Sequence, residues 1–308
     1  MSRTDDVAGK TIVIAGASSG FGRGGAVELA RRGAQVVVAA RRGPVLDEVV
    51  AEIAADGGTA LAVPTDVSDP DAVTALAASA LERFGRIDVW VNNVGIGAIG
   101  MFWDIPLDAH ARLVDVNLKG LIYGAHVAIR QFRSQGSGVL VNVGSIDSEV
   151  PLAYQSSYAA TKAGVLSLSR SLNEELRLVG DQDRIKVGTI MPWAVDTPWW
   201  THAANYSGHT ARMAAMDDPQ IVVDAIVAAC TDPKEEQPVG AKARTANLSH
   251  HLFPDLTERL SAKTADGESK KGDELPATDG SIFEPVAAGT TVDGGIRARM
   301  KEEDAGGR

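Results

Sequence analysis

Apolar positions along the chain fall into two alternating kinds of run. Short, nearly unbroken β-branched stretches at 11–15, 35–39, 59–63, 87–91, 139–143 and 185–190 are separated by longer stretches, among them 20–32, 69–84 and 157–179, whose apolar positions recur at helical spacing. A strand with one wet face shows polar alternation; these show almost none, so both faces are expected to be buried. Strands that alternate with segments long enough to be crossover helices predict a doubly wound α/β fold of Rossmann type, a mostly parallel sheet with helices on both faces. Such folds take their ligands in the crevice at the carboxyl ends of the strands.

Beyond the sixth run the pattern predicts a helix over 218–230, an edge strand over 237–241 and a helical stretch over 256–260. Composition then shifts: 263–279 is rich in Gly, Asp, Glu, Lys and Thr without apolar periodicity and reads as loop or tail, and 301–308 should fray. Phe283, Pro285 and Val286 are the few apolar anchors near the end. One domain over 8–260 is therefore expected, followed by an extension over 261–308, partly flexible or docked on the core or a partner subunit.

Charge and composition narrow the function classes. A net charge of −10 repels nucleic acid and anionic membranes. No apolar run approaches the roughly 20 residues that span a bilayer, and residues 1–10 lack the apolar core of a secretory signal. Cys230 is the only cysteine, so no intramolecular disulfide forms. A cytoplasmic protein that handles a small molecule, with neither nucleic acid nor membrane as partner, is the expectation.

Directly after the first run the chain reads Ala15-Gly16-Ala17-Ser18-Ser19-Gly20-Phe21-Gly22 and opens a helical stretch. Gly16, Gly20 and Gly22 permit backbone angles and close approaches barred to other residues. A helix N-terminus presents free N–H groups and partial positive charge, so this turn, with Ser18 and Ser19 in it, suits a pyrophosphate. A tight strand-to-helix connection would use the same glycines; context favours the cofactor. An NAD enzyme would place an acid at the end of the second strand, but the chain there reads Val38-Ala39-Ala40-Arg41-Arg42. Arg41 can pair with the 2′-phosphate of NADP, so NADP(H) is expected over NAD(H), while Arg42 reads as solvated charge.

Tyr158 and Lys162 lie four residues apart in a helical stretch and project from one face. A phenol with a reference pKa of roughly 10 is a poor base, and a nearby ammonium and an oxidised nicotinamide are both expected to favour the phenolate. In the reducing direction the same tyrosine would donate its proton. Tyr-x-x-x-Lys pairs are common by chance. Ser145, at the carboxyl end of the 139–143 run, adds weight because its hydroxyl can hold a substrate oxygen.

Taken in order along the chain, these residues resemble a short-chain dehydrogenase/reductase of the single-domain kind. The likeness runs from about Gly9 to Thr197 and includes the glycine turn, Asp66-Val67, Asn92-Asn93-Val94-Gly95, Asn117, Ser145, Tyr158 with Lys162, and 192–197. The resemblance implies a catalytic tetrad of Asn117, Ser145, Tyr158 and Lys162. It further implies that Lys162 bonds the nicotinamide ribose, that Asn117 holds a water linking Lys162 to solvent, and that Asp66 and the Val67 backbone contact adenine. Asn93 would face the adenosine side, Val195 and Thr197 the carboxamide, and the chain would form a homodimer or homotetramer; Asn92 reads as a brace within the sheet. Ala15, Val94 and Trp193 depart from the family's usual threonine, alanine and glycine, and none of them touches proton transfer.

The resemblance puts a mobile lid at 193–217, where Trp193, Trp199, Trp200, His202, Tyr206, Met213 and Met216 occur. These imply an aromatic-lined pocket or, equally, packing against a neighbouring subunit or the C-terminal segment. Met101, Phe102 and Trp103 are expected on the opposite wall or in packing. His202 and His209, with no nearby cysteine or acid cluster, make no metal site. The expected activity is NADP(H)-dependent interconversion of a carbonyl and an alcohol on a hydrophobic small molecule, with Tyr158 as general acid/base. The alternatives are an NAD-dependent dehydrogenase of the same family and a non-catalytic NADP(H)-sensing regulator.

Overall fold

Successive side chains of a strand point to opposite faces, and in β1 (Thr11–Ala15) Ile12 and Ile14 enter one apolar core while Val13 enters another. The next strand, β2 (Gln35–Ala40), divides Val36 and Val38 from Val37 and Ala39 in the same way. Burial on both sides is why these runs carry no polar alternation. The computed structural model describes residues 7–305. Strands β3 (Thr59–Pro64), β4 (Val89–Asn92), β5 (Ala98–Ile99), β6 (Gly138–Val143), β7 (Ile185–Pro192), β8 (Ala204–Asn205) and β9 (Glu236–Val239) follow. Seven of them form one sheet in the order β3-β2-β1-β4-β6-β7-β9 with every pairing parallel, and β5 pairs with β8 apart from it.

The helices are α1 (Gly20–Arg31), α2 (Gly43–Ala55), α3 (Pro70–Phe84), α4 (Leu107–Leu113), α5 (Gly120–Gln135), α6 (Ser156–Leu178), α7 (Trp199–His202), α8 (Gln220–Ala229), α9 (Gly240–Leu252), α10 (Pro254–Ser269) and α11 (Ile296–Ala305). Leu29 of α1, Leu46 and Ile53 of α2 and Ile226 of α8 cover one face; Leu76 of α3, Phe132 of α5 and Leu176 of α6 cover the other. Three of the polar side chains inside the sheet are joined in one network. Trp90 Nε1 donates to Asn92 Oδ1 (2.8 Å), Asn92 Nδ2 to Asn142 Oδ1 (3.0 Å) and Asn142 Nδ2 to Ser169 Oγ (2.9 Å), so Asn92 braces β4 against β6 and α6. Among the described residues no helix is long and apolar enough to cross a membrane.

The C-terminal part departs from the sequence expectation. Residues 263–269 are not loop: α10 runs unbroken through position 260 to Ser269. Its weak helix formers are held by partners elsewhere, Tyr154 Oη donating to Asp266 (2.8 Å) and Arg212 pairing with Glu268 (3.6 Å). Residues 301–305 belong to α11; 306–308 lie outside the described residues. The carboxylate of Asp196 caps that helix, accepting from the N–H groups of Ile296 (2.8 Å) and Arg297 (2.9 Å). A carboxylate suits a helix N-terminus, but this one comes from 100 positions away.

Candidate active site

At the carboxyl end of β1 the chain turns sharply into α1. Gly16 has φ +92°, and a Cβ on Gly22 would lie 2.0 Å from the Gly16 carbonyl oxygen, so neither position admits another residue without displacing backbone. Asn93 Nδ2 donates to that same carbonyl (2.8 Å), while its Oδ1 is buried without a partner. Ser19 precedes α1 without capping it by its side chain. Ser18, Ser19 and Gly20 line a cavity of about 250 Å³ that extends to Tyr158 and Lys162. A helix start without a side-chain cap, an orphaned acceptor and glycines that let backbone approach closely fit a dinucleotide laid along this cleft.

The other end of that cleft is crowded by the C-terminal segment. Arg41 donates to the carbonyls of Phe283 (2.7 Å) and Ser281 (2.6 Å). Arg42, expected in solvent, instead donates to Ser18 Oγ (3.0 Å) and to the carbonyls of Val286 and Ala288 (3.1 Å each). Gly20 N–H donates to the Thr291 carbonyl (2.9 Å), so one of the first N–H groups of α1 already has an acceptor. Asp66 accepts from Ser68 and, at 2.8 Å, from Arg112; burial opposes its ionisation, but these bonds hold the carboxyl below its usual range. Arg112 also reaches the Ile282 carbonyl (3.1 Å), so it ties Asp66 to the same segment. Val67 is buried beside it and lines the cavity. Sequence reasoning missed Arg112 and held docking of 261–308 on the core only as one alternative; the carbonyl contacts of the strap over 281–291 carry no side-chain signature.

At the reacting end, Asn117 lies in a π-helical turn, Val114–Lys119, between α4 and α5. Such turns often mark functional positions. Its side chain clamps the loop after β4, accepting from Ile96 N–H and donating to Ile96 carbonyl, both at 2.8 Å. Lys162 Nζ donates to the Val143 carbonyl (2.8 Å) and lies 5.6 Å from the centre of the Tyr158 ring. Ser145 opens the short turn Ile146–Ser148 and accepts from Asp147 N–H (3.1 Å). Thus Ser145, Tyr158 and Lys162 share one cavity wall.

The electrostatics of the protein's own groups correct the part of the expectation that rested on Lys162. Tyr158 is shifted upward, not downward: burial disfavours the phenolate, the neighbouring Asp147 carboxylate adds to that, and only the Ser145 hydroxyl acts the other way. Lys162 is itself pulled down to about 8 by burial, which weakens the ammonium that was expected to lower the phenol. Asp147, two residues beyond Ser145, is pushed up to about 7 by burial against the opposing pull of Lys162. Asp147 was missed as well; its place just past the end of β6, next to Ser145, was the available signal.

Residues 193–217 close the pocket. Trp193, Trp199, Trp200, His202 and Met213 line it, while Met216 packs in the core and Tyr206 turns away to Asp279 (2.7 Å). Trp199 lies 5.2 Å from the Tyr158 ring and stands edge-on to Trp200 at 5.1 Å. Val195 fixes Trp200 by accepting from its Nε1 (2.9 Å), and Thr197, also on the wall, lies against the turn at Gly20. Met101, Phe102 and Trp103 do not form the opposite wall. They are exposed, Trp103 by 77%, because the turn after β5 carries them outward. His202 and His209 meet backbone carbonyls, of Ala288 (3.0 Å) and Gly272 (3.2 Å).

A family model described as short chain dehydrogenase matches residues 10–206. The chain is 35% identical over 257 residues to the uncharacterized oxidoreductase YxnA of Bacillus subtilis, covering 82% of this chain and 72% of that protein. It is 39% identical over 195 residues to an L-rhamnose 1-dehydrogenase (NAD(P)(+)) of Azotobacter vinelandii, covering 61% of this chain and 74% of that protein. Among solved structures, a metagenomic short-chain oxidoreductase in complex with NADP superimposes with a TM-score of 0.64 at 29% identity, over 75% of this chain and 97% of the other. A 3-ketoacyl-(acyl-carrier-protein) reductase from Brucella melitensis complexed with NADH gives 0.65 at 29%, over 75% and 96%.

Proposed function

The chain belongs to the short chain dehydrogenase family, and on that premise we propose that it is an NADP(H)-dependent oxidoreductase that interconverts a carbonyl and an alcohol on a small molecule with an apolar body. The observation that carries this reading is the gathering of Ser145, Tyr158 and Lys162 on one wall of the cavity that begins at the glycine turn. The cofactor, when bound, supplies or accepts the hydride, which no side chain can do. Ser145 Oγ holds the substrate oxygen, and Tyr158 Oη gives that oxygen its proton as the carbonyl is reduced. Because burial keeps the phenol protonated, donation needs no prior ionisation. The reverse direction needs the phenolate, stabilised by the Ser145 hydroxyl. Lys162 steadies a ribose hydroxyl, Asn117 holds the loop beneath it, and Val195 with Thr197 faces the carboxamide.

NADP(H) preference is supported by Arg41 and by the absence of an acid where β2 ends. A second reading, NAD(H) dependence, is favoured by one observation: two Arg41 nitrogens already donate to Ser281 and Phe283 carbonyls. Asn93, with its unpartnered Oδ1, and Asp66 with Val67 serve the adenosine half. Self-association as a dimer or tetramer is supported by the exposed Leu248, Leu252, Phe253 and Leu256, and a cytoplasmic location by the single, buried cysteine. The test is NADPH and NADH consumption across a panel of ketones and aldehydes, with Tyr158→Phe as control. Turnover that survives this change refutes the mechanism, and tight NADPH binding without any turnover favours a sensor.

A further inference from the structure

Asp147 is the least expected group in the pocket. The turn Ile146–Ser148, capped by Ser145, sets it on the cavity wall with Ser145, Gln155, Tyr158 and Trp199. It is only 8% exposed, yet its carboxylate makes no hydrogen bond or ion pair among the described residues. Gln155, 6% exposed on the same wall, likewise has a carboxamide without a partner there. Trp193, also on the wall, has a buried indole N–H with no acceptor. Buried polar groups are costly unless paired. Three such residues around one cavity, between aromatic rings, describe a ligand that carries its own hydrogen-bonding groups.

We propose that Asp147 is a specificity-determining residue that accepts a hydrogen bond from a hydroxyl within a few bonds of the reacting carbon, so that the substrate is a hydroxylated carbonyl compound or the corresponding diol. Gln155 takes a further hydroxyl or oxygen, while the Trp199 and Trp200 rings bear on the apolar face of the same molecule. A neutral hydroxyl fits better than an ammonium, because Lys162 on the same wall already places positive charge beside the reacting centre. This inference deepens the oxidoreductase reading above and rests on it for the identity of the reacting carbon. No step of the proton transfer passes through Asp147.

The test uses the full chain and isosteric pairs that exchange one hydroxyl for a methyl: 2-hydroxyacetophenone against propiophenone, and 1-phenylethane-1,2-diol against 1-phenylpropan-1-ol, with cyclohexane-1,2-diol against 2-methylcyclohexanol as a second skeleton. Wild type should favour the hydroxylated member in kcat/KM by about tenfold to hundredfold, the range expected when a buried acceptor is satisfied or left unpaired. In Asp147→Leu that ratio should fall to near one, with Asp147→Asn between the two, and melting temperature reports whether each variant folds. Calorimetric binding of the same alcohol pairs, with and without NADP, measures the preference where turnover is absent. Preference in binding without turnover sinks the oxidoreductase reading and keeps this one. Turnover or binding without a hydroxyl preference, a preference that persists in Asp147→Leu, tighter binding of 2-amino-1-phenylethanol than of the diol, or no binding of any probe overturns the proposal.

Discussion

At the Tyr158 end of the cleft the proposed catalytic side chains come from segments within the span from Asn117 to Lys162. At the Arg41 end they are held by backbone carbonyls of residues 281–291; the bond from Arg41 to Phe283 spans 242 positions. One end is local architecture with its own side-chain signature. The other is closed by a strap whose contacts are made by main chain, so any sequence able to follow the path would make them. The difference teaches that chemistry and enclosure were assembled by separate means, and the two ends should respond separately to substitution.

The largest effect should be at the reacting end. Tyr158→Phe is expected to lower turnover by about 10²- to 10⁴-fold while fluorescence titration finds NADPH affinity nearly unchanged; a comparable loss of affinity would join the two ends. Next comes Ile282, which is fully buried in the strap and packs in the cluster that Tyr158 also touches. Ile282→Ala should cost about 2–5 kcal/mol, read as a lower melting temperature together with weaker cofactor binding. Normal melting would show that the strap is not anchored there. Arg41→Ala should weaken NADPH by about tenfold to hundredfold, the weight of a charge-assisted contact, and leave NADH almost untouched. Equal losses for both cofactors would assign Arg41 to the strap rather than to a phosphate.

The smallest effect is one of pH. The folded-state value of Asp147, about 7, lies above its ordinary 3.8, so the stability tied to its protonated form is complete below pH about 4 and lost as pH rises through about 7. Asp147→Asn should therefore gain on wild type across that window, read as a melting-temperature difference that widens from pH 4 to pH 7. Lys162, depressed to about 8, acts in the opposite sense and only above that pH, so the two contributions separate in a pH series. A melting difference that stays flat from pH 4 to 7 would contradict the burial assigned to Asp147.

Legibility followed the range of the interactions. The parallel sheet was readable because β1 and β2 bury both faces and so lose polar alternation. The glycine turn was readable because Gly16 and Gly22 meet a steric demand set within one connection. Strand and helix ends shifted by one or two residues, as with β4, which begins at Val89 rather than at 87. The continuation of α10 beyond 260 and the whole of α11 escaped notice because Asp196, Tyr154 and Arg212 hold them from distant segments. The direction of the Tyr158 shift was misread for a related reason: helical spacing sets where Lys162 stands but says nothing of how deeply both groups are buried or of Asp147 beside them.

The amino-acid order by itself determined the doubly wound sheet and the glycine turn, and it singled out Ser145, Tyr158 and Lys162 as candidates, because each depends on periodicity or on neighbours a few positions apart. Tertiary structure alone decided which carboxylate faces the pocket, which way burial moves the phenol, and that residues 281–291 enclose the Arg41 end. Desolvation and long-range backbone contacts exist only after segments hundreds of positions apart have been packed together, and no local pattern encodes them.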